Sequence, residues 1–227
     1  MKTSPMQVTL VDHMGSDLSV VNAARVSFDK ESDWDYHDGS PYNDTLKDSD
    51  AKLINYLAKH NHWSPFAHTS IQLRVKAPIF VARQLVKHQV GGVWNEVSRR
   101  YVDSEPEFWF PEVWRGRPVN AKQGSSGEYA LNELMTLSVV EKLEPVNKLY
   151  EFMVREGVAP EQARMILPQN MQTEWYWTGS LMFFCRVCRE RLAPGAQQET
   201  REVAEQIAEI VAPLYPVAWS ALMGDLL

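Results

Sequence analysis

The spacing of hydrophobic positions along the chain predicts both strands and helices. Residues 7–11 and 69–76 alternate hydrophobic and polar side chains, which is typical of β-strands. Two segments, 29–49 and 102–128, are rich in turn-forming residues and are predicted to be loops. Hydrophobic residues recur every three or four positions in the segments predicted as helices, which are 18–28, 50–60, 79–90, 129–156, 181–192 and 195–211.

Local signals refine the helices of the C-terminal half. Thr178 and Ser180 are candidate N-caps for the helix that follows them. Pro145 interrupts the leucine-rich helix over 129–156, which is predicted to be kinked and to lie in the core or in an interface. The helix over 195–211 alternates Glu and Ala and is predicted to be amphipathic and exposed.

Composition and charge narrow the class of protein. The length of 227 residues is sufficient for one domain with a substantial core. The formal net charge of -6 argues against a general nucleic-acid or membrane-surface binder, because such proteins are normally basic. No hydrophobic run approaches the length of a bilayer span, and the N-terminal segment lacks the hydrophobic core of a signal peptide. A cytoplasmic protein without nucleic-acid or membrane partners is therefore expected.

The positions of cysteine and histidine do not indicate a metal site. The chain has two cysteines, Cys185 and Cys188, which excludes a disulfide framework and a four-cysteine zinc site. A redox pair remains open, but both residues lie on a hydrophobic helical stripe, so packing in the core is expected. His60, His62 and His68 cluster without an H-E-x-x-H pattern or a carboxylate partner, and no metal is predicted there.

A local excess of basic residues distinguishes the segment 75–101 from the rest of this acidic chain. After position 80 it contains four basic residues and one acid, Glu96, so an anion is expected nearby. Gly91 and Gly92 interrupt the helical period and are expected to let the backbone approach a ligand. An amide, a carboxylate, a hydroxyl and a guanidinium follow closely in Asn95, Glu96, Ser98 and Arg100. These groups suit a phosphate-bearing ring compound, and the alternative is a solvated basic helix followed by a loop.

Four sequence motifs resemble those of one enzyme family. The motifs are NEVSRRY at 95–101, HWSPFAH at 62–68, ARMILP at 163–168 and WTGS at 177–180. They resemble motifs of the flavin-dependent thymidylate synthases, the ThyX family, whose usual signature is RHR, a short spacer and then S-x-N-E-x-S-x-R-Y. Two departures occur, because Lys87-His88-Gln89 stands where RHR is expected and the spacer before Asn95 is one residue longer than usual.

The resemblance spans nearly the whole chain and implies a fold and a reaction. The implied fold is one mixed α/β domain over residues 1–227, with a central sheet packed by helices and long helices in the C-terminal half. The implied reaction is the reductive methylation of dUMP to dTMP, with methylenetetrahydrofolate as carbon donor, NADPH as reductant and bound FAD as redox carrier. Family members are homotetramers whose active sites form between subunits, and the same assembly is expected here.

The resemblance also assigns functions to individual residues. Arg191 is the expected catalytic residue, because its positive charge would stabilise an anionic uracil ring. The expected dUMP contacts are Gln84, Lys87, Glu96, Val97, Ser98, Arg99, Arg100, Arg164 and Arg191. The expected FAD contacts are His62, Ser64, Lys87, His88, Gln89, Glu96, Ser180 and Arg186. Some family members have Asn in place of Arg186.

Three alternative functions differ in what such a site does. A flavoprotein could retain FAD-dependent oxidation of NADPH without methyl transfer, and a nucleotide-binding protein of the same fold could lack catalysis. A single-stranded nucleic-acid binder could use the arginines and tryptophans, but it conflicts with the acidic net charge. No G-x-G-x-x-G, P-loop, Ser-His-Asp triad or activated cysteine is evident, so the chemistries that depend on them are not supported.

Overall fold

The computed structural model describes residues 1–36, 44–119 and 124–224. Its strands are β1 (Lys2–Thr3), β2 (Gln7–Met14), β3 (Asp35–Tyr36), β4 (Asp44–Thr45), β5 (Ser70–Pro78), β6 (Gly92–Glu96), β7 (Glu107–Phe108) and β8 (Gln172–Gly179). Its helices are α1 (Asp17–Arg25), α2 (Asp48–Lys59), α3 (Ile79–Leu85), α4 (Asn132–Arg155), α5 (Pro160–Ala163), α6 (Leu181–Arg191), α7 (Gln198–Val211) and α8 (Pro216–Met223). None of the helices within these ranges combines the length and the hydropathy needed to cross a membrane.

A four-stranded antiparallel sheet lies at the centre of the fold, with the strand order β2-β5-β8-β6. Strand β5 is an inner strand, and its alternate side chains over 71–77 are completely buried. On the neighbouring strand β8, Trp175 and Trp177 are each 1% exposed. The strands predicted over 69–76 and 7–11 are confirmed, and the second extends further than predicted. The predicted mixed α/β fold, with a central sheet and helices packed on it, is confirmed as well.

Helix α6 begins where the sequence predicts. The Oγ atom of Ser180 accepts a hydrogen bond from the backbone N–H of Phe183 over 3.2 Å, which caps the N-terminus. The buried face of the helix includes Cys185 and Cys188, which are 1% and 0% exposed. Burial raises the pKa of both thiols, so both are packing residues of low reactivity, as their positions on a hydrophobic stripe predicted.

Helices α7 and α8 contribute more to the core than the sequence suggests. The pattern over 195–211 predicts an exposed helix, whereas α7 begins three residues later and has one fully buried face. That face carries Val203, Ile207 and Val211, because residues four positions apart lie on the same side of a helix. Helix α8 follows the last predicted element and buries Trp219. The prediction of an amphipathic helix is therefore confirmed, but only one of the two faces of α7 is exposed.

The segment after α3 differs from its prediction. The periodicity predicts a helix over 79–90, but α3 ends at Leu85 and the chain then enters β6 at the edge of the sheet. Gly91 has a φ of 85°, which favours glycine. A Cβ atom on Gly92 would lie 2.6 Å from Cε2 of Phe183. This glycine therefore admits a packed aromatic ring rather than the ligand that the sequence suggested.

Gly179 on β8 contacts the same aromatic ring, and its replacement tests the packing. An alanine Cβ would lie 2.7 Å from Cγ of Phe183 and closer still to Cδ1. Because Phe183 is 2% exposed and has little room to move, Gly179→Ala should lower the free energy of unfolding by about 1–3 kcal/mol. Urea unfolding measures the effect, with Gly127→Ala as the control, since a Cβ there has no described atom within 4 Å. An unchanged unfolding midpoint for Gly179→Ala would contradict the close packing.

Helix α4 carries hydrophobic side chains on its surface. Leu134 and Leu137 are 59% and 67% exposed, and Leu149 and Phe152 are about half exposed. By contrast, Tyr150 on another face of the helix is 1% exposed. A core location for the leucine-rich face is therefore wrong in the described part of this chain, and an interface location stays a prediction.

Candidate active site

A cavity of about 860 Å³ lies between α3, the C-terminal end of α6 and the start of α7, and we call it the Arg191 cavity. Gln84 reaches it from α3, and Arg191 reaches it from the last turn of α6. Three aromatic residues of the segment between β7 and α4 form another wall, namely Trp109, Phe110 and Trp114. Two residues predicted to contact the nucleotide thus share one cavity with a hydrophobic surface that suits a planar ring.

A hydrogen bond to a histidine orients Arg191. Its Nε atom donates to Nε2 of His88 over 3.0 Å. Burial lowers the pKa of His88, the positive charges of Arg191 and Arg186 lower it further, and Glu190 opposes them. Since the ordinary pKa of histidine is already below 7, His88 remains neutral at neutral pH and its Nε2 stays an acceptor. The orientation of Arg191 is therefore maintained under physiological conditions.

His88 also lines a second opening of about 430 Å³, which we call the Lys87 groove. The other residues of this groove are Lys87, Gln89, Val90, Phe183, Arg186, Arg189 and Glu190. Three of its side chains are cationic and one is acidic, so the groove carries a net positive charge that suits a phosphate or diphosphate group. Four of the predicted FAD contacts, namely Lys87, His88, Gln89 and Arg186, are thus brought together by the fold.

A third opening of about 870 Å³, which we call the His62 cavity, shares Arg186 and Arg189 with the Lys87 groove. Arg186 donates through Nη2 to the backbone oxygen of Val90, which orients its guanidinium. Arg189 donates through Nη1 to a backbone oxygen of α8 over 3.4 Å. The ring of His62 stacks near Tyr56, with 6.1 Å between their centroids. A further predicted FAD contact therefore lies on a surface that adjoins the Lys87 groove.

The two serines predicted to contact FAD have different surroundings. Ser64 begins the short 3₁₀ turn Ser64–Ala67 and is exposed. The Oγ of Ser180 already accepts a hydrogen bond from the backbone of α6, so toward a ligand it can still donate its hydroxyl hydrogen. Contact of either serine with FAD stays a prediction.

The first residues of the NEVSRRY motif lie away from the Arg191 cavity in this chain. Glu96 ends β6, where its Oε1 accepts from Oγ1 of Thr173 over 2.7 Å and its Oε2 accepts from Nε1 of Trp94 over 3.2 Å. Val97 and Arg99 line a separate opening of about 260 Å³. The Glu96 carboxylate is therefore held by the sheet, and these motif residues do not share a cavity with Arg191 within one chain.

The remaining predicted dUMP contacts also lie outside the Arg191 cavity, the Lys87 groove and the His62 cavity. Arg100 is exposed, its Nε donates to Oγ of Ser98 over 3.2 Å, and its guanidinium lies 4.9 Å from the ring centroid of Tyr101. Arg164 is also exposed, and its Nε donates to the backbone oxygen of Glu161 over 3.3 Å. One chain therefore divides the predicted dUMP contacts among separate surfaces.

Polar residues that sequence reasoning did not single out complete the Arg191 cavity. Gln197 and Glu199 lie at the start of α7 beside Gln84, and Arg115 reaches Glu199 from the segment before α4. Glu199 is 6% exposed. The sequence contains a signal for it, since Glu199 lies four positions before Val203 on the buried face of α7. A carboxylate at such a position requires a polar partner.

The charge of the Lys87 groove and the aromatic wall of the neighbouring Arg191 cavity suit the class of proteins that bind anionic ring compounds. Comparison with known proteins makes this class more specific. Residues 9–217 match the family model described as thymidylate synthase complementing protein. The chain belongs to this family, that of the flavin-dependent thymidylate synthases, and the resemblance found in the sequence is confirmed.

Relatives support the assignment over almost the full length of the chain. The flavin-dependent thymidylate synthase of one Thermus thermophilus strain is 42% identical over 221 residues, which cover 97% of this chain and 76% of the relative. That of Kosmotoga olearia is 36% identical over 227 residues, which cover 97% and 93%. The crystal structure of the UMP/dUMP methylase PolB from Streptomyces cacaoi, bound with 5-Br dUMP, has a TM-score of 0.82 and 31% identity, covering 97% of this chain and 96% of that chain.

Proposed function

We propose that this protein catalyses the reductive methylation of dUMP to dTMP, with methylenetetrahydrofolate as carbon donor, NADPH as reductant and FAD as redox carrier. Its relatives are named flavin-dependent thymidylate synthases, and PolB is named a UMP/dUMP methylase. The observation that carries the proposal is the position of Arg191. This residue lines one cavity and donates a hydrogen bond to His88, which lines the adjacent Lys87 groove. A nucleotide ring in the cavity and a flavin in the groove would meet at this pair.

Arg191 would stabilise the negative charge that develops on the uracil ring. Its guanidinium is already oriented by neutral His88, so it needs little reorganisation when the charge appears. Gln84, which lines the same cavity from α3, would contact the same nucleotide. The aromatic wall of Trp109 and Trp114 would exclude water, which strengthens the electrostatic effect of the guanidinium.

The residues of the Lys87 groove fit FAD. The cofactor carries a diphosphate, and Lys87, Arg186 and Arg189 supply cationic groups along the groove, the two arginines also reaching the His62 cavity. These arginines would compensate for Gln89, which is neutral where the family signature has arginine. When bound, FAD would supply the hydride chemistry, while the side chains around it bind and orient the reactants.

A homotetramer with active sites between subunits is part of the proposal. Three predicted dUMP contacts lie outside the Arg191 cavity, the Lys87 groove and the His62 cavity, namely Ser98, Arg100 and Arg164. A second subunit would therefore be needed to bring them to the same dUMP molecule. The exposed side chains of Leu134 and Leu137 offer a hydrophobic surface for subunit contact. A cytoplasmic location is also proposed, because the reaction consumes soluble nucleotides.

Two specific observations favour alternative activities. The similarity to PolB favours methylation of UMP, which its name pairs with dUMP. The replacement of two signature arginines by Lys87 and Gln89 favours an NADPH oxidoreductase that has retained FAD but lost methyl transfer. A nucleotide-binding protein without catalysis would be the outcome if the flavin is not bound.

Flavin spectroscopy of the full-length protein tests the proposal. The protein is loaded with FAD, and bleaching of the flavin absorbance by NADPH is followed anaerobically with dUMP, with UMP and without nucleotide. Bleaching stimulated by dUMP, followed by dTMP formation when methylenetetrahydrofolate is added, is the expected result. Stimulation by UMP alone would favour UMP methylation, and bleaching without any methylated product would favour the oxidoreductase. Failure to bind FAD would leave the non-catalytic nucleotide-binding protein.

A further inference from the structure

A chain of polar contacts leads from a buried acid to Gln84. Glu199, in the first turn of α7, is 6% exposed. Its Oε1 pairs with Nη2 of Arg115, and its Oε2 accepts a hydrogen bond from Nε2 of Gln197 over 2.8 Å. The Oε1 of Gln197 in turn accepts from Nε2 of Gln84. Arg115 is itself fixed, because its Nε donates to Oγ of Ser125 over 2.8 Å.

Glu199 is ionised at neutral pH. Burial acts to raise its pKa, but hydrogen bonds from Arg115 and Gln197 outweigh that effect, so the pKa of Glu199 lies below its ordinary value. An ionised carboxylate has no hydrogen to donate, and both of its oxygens can only accept. An amide side chain that contacts Glu199 must therefore present its NH₂ group.

The orientation of the Gln197 amide in turn fixes the orientation of the Gln84 amide. Because the NH₂ group of Gln197 faces Glu199, its carbonyl oxygen faces Gln84. That carbonyl oxygen can only accept, so Gln84 must direct its own NH₂ group toward Gln197. The Oε1 of Gln84 is then the acceptor that remains for a ligand in the Arg191 cavity, which Gln84 lines.

We propose that Gln197 and Glu199 are positioning residues that fix the amide of Gln84, so that its Oε1 selects a hydrogen-bond donor on the nucleotide in the Arg191 cavity. The inference rests on the proposed function, in which that nucleotide is dUMP. Outside its phosphate, dUMP has two such donors, the N3–H of the ring and the 3′ hydroxyl of the sugar. Without the positioning residues, the Gln84 amide could rotate and present either of its ends, which would reduce selectivity.

Gln197→Met tests the positioning role, because it removes the amide while keeping the length and the neutral charge of the side chain. The backbone oxygen of residue 197 would still accept the hydrogen bond from Oγ1 of Thr200 at the start of α7. Calorimetric titration of the FAD-loaded protein compares dUMP with N3-methyl-dUMP and with 2′,3′-dideoxyuridine monophosphate. The wild type should bind the analogue that lacks the selected donor about tenfold more weakly than dUMP. In Gln197→Met this ratio should fall severalfold toward one, because the freed amide of Gln84 can present either of its ends to the cavity.

The analogue that binds the wild type more weakly identifies the donor that Gln84 selects. Weaker binding of N3-methyl-dUMP identifies the N3–H, and weaker binding of 2′,3′-dideoxyuridine monophosphate identifies the 3′ hydroxyl. Gln7→Met is the control, because Gln7 is an exposed glutamine of β2 outside the Arg191 cavity, and it should keep the wild-type ratio. Glu199→Gln is the second variant, since a neutral amide at this position can accept or donate. It should also remove the preference for dUMP over the analogue that lacks the selected donor. A purely structural role would lower the melting temperature and weaken all three ligands equally.

Three outcomes decide between the inference and the function on which it rests. A wild type that binds both analogues as tightly as dUMP would overturn the inference. So would a wild-type ratio that is preserved in both Gln197→Met and Glu199→Gln. A wild type that does not bind dUMP at all would overturn the proposed function, and the positioning role with it.

Discussion

Arg191→Ala is expected to lower the rate of dTMP formation by about 10²–10³-fold while FAD remains bound. The guanidinium lines the Arg191 cavity and is oriented by the hydrogen bond of 3.0 Å to His88. Its removal takes away the fixed cation that would face the developing charge on the uracil ring. The cationic residues of the Lys87 groove are unchanged in the variant, so the flavin should stay in place. A steady-state assay with dUMP and the flavin spectrum measure the two effects.

The controls for Arg191→Ala separate position from charge. Arg155→Ala removes an exposed arginine of α4, whose Nε lies 3.4 Å from the carboxylate of Glu156, and should leave turnover unchanged. Arg191→Lys keeps the charge but loses the planar donor geometry, so its activity should be intermediate. Turnover at the wild-type rate in Arg191→Ala would remove Arg191 from the mechanism. Loss of flavin binding in that variant would assign Arg191 to the cofactor site instead.

The features that the sequence predicts best have local causes. Strand β5 alternates over adjacent positions, and Ser180 caps α6 through a residue only three positions away, so both are visible in the pattern of side chains. The placement of Gln84 and Arg191 at one site came from the family resemblance instead. Periodicity alone places these two residues on separate helices and does not reveal that they share a cavity.

Contacts between distant segments explain most of the features that the sequence did not predict. Strand β6 is an edge strand with mostly exposed side chains, and its first residue, Gly92, reads as a break in a helix. It is a strand because β8 pairs with it, and Trp94 stacks on Trp175 with 4.1 Å between the ring centroids. The contact between Gln84 and Gln197 likewise joins segments that are far apart in the sequence. A pattern that repeats over a few residues cannot encode either contact.

Arg25 forms an ion pair inside the fold. In the structure its Nε donates to Oδ1 of Asp50 over 3.1 Å, and its Nη2 pairs with the same oxygen. Ser32 donates to the second oxygen of Asp50. Asp50 is completely buried, so it depends on these two partners to offset the cost of burying its charge.

Asp50→Ala is therefore expected to lower the free energy of unfolding by about 3–5 kcal/mol. The substitution removes the counter-charge of Arg25, whose side chain is only 26% exposed, and also removes the acceptor of the Ser32 hydroxyl. Urea unfolding measures the loss. Asp48→Ala is the control, because it removes an exposed acid from the same first turn of α2 and should cost at most about 1 kcal/mol. If Asp50→Ala were as stable as the wild type but bound FAD or dUMP more weakly, Arg25 would belong to a ligand site rather than to the fold.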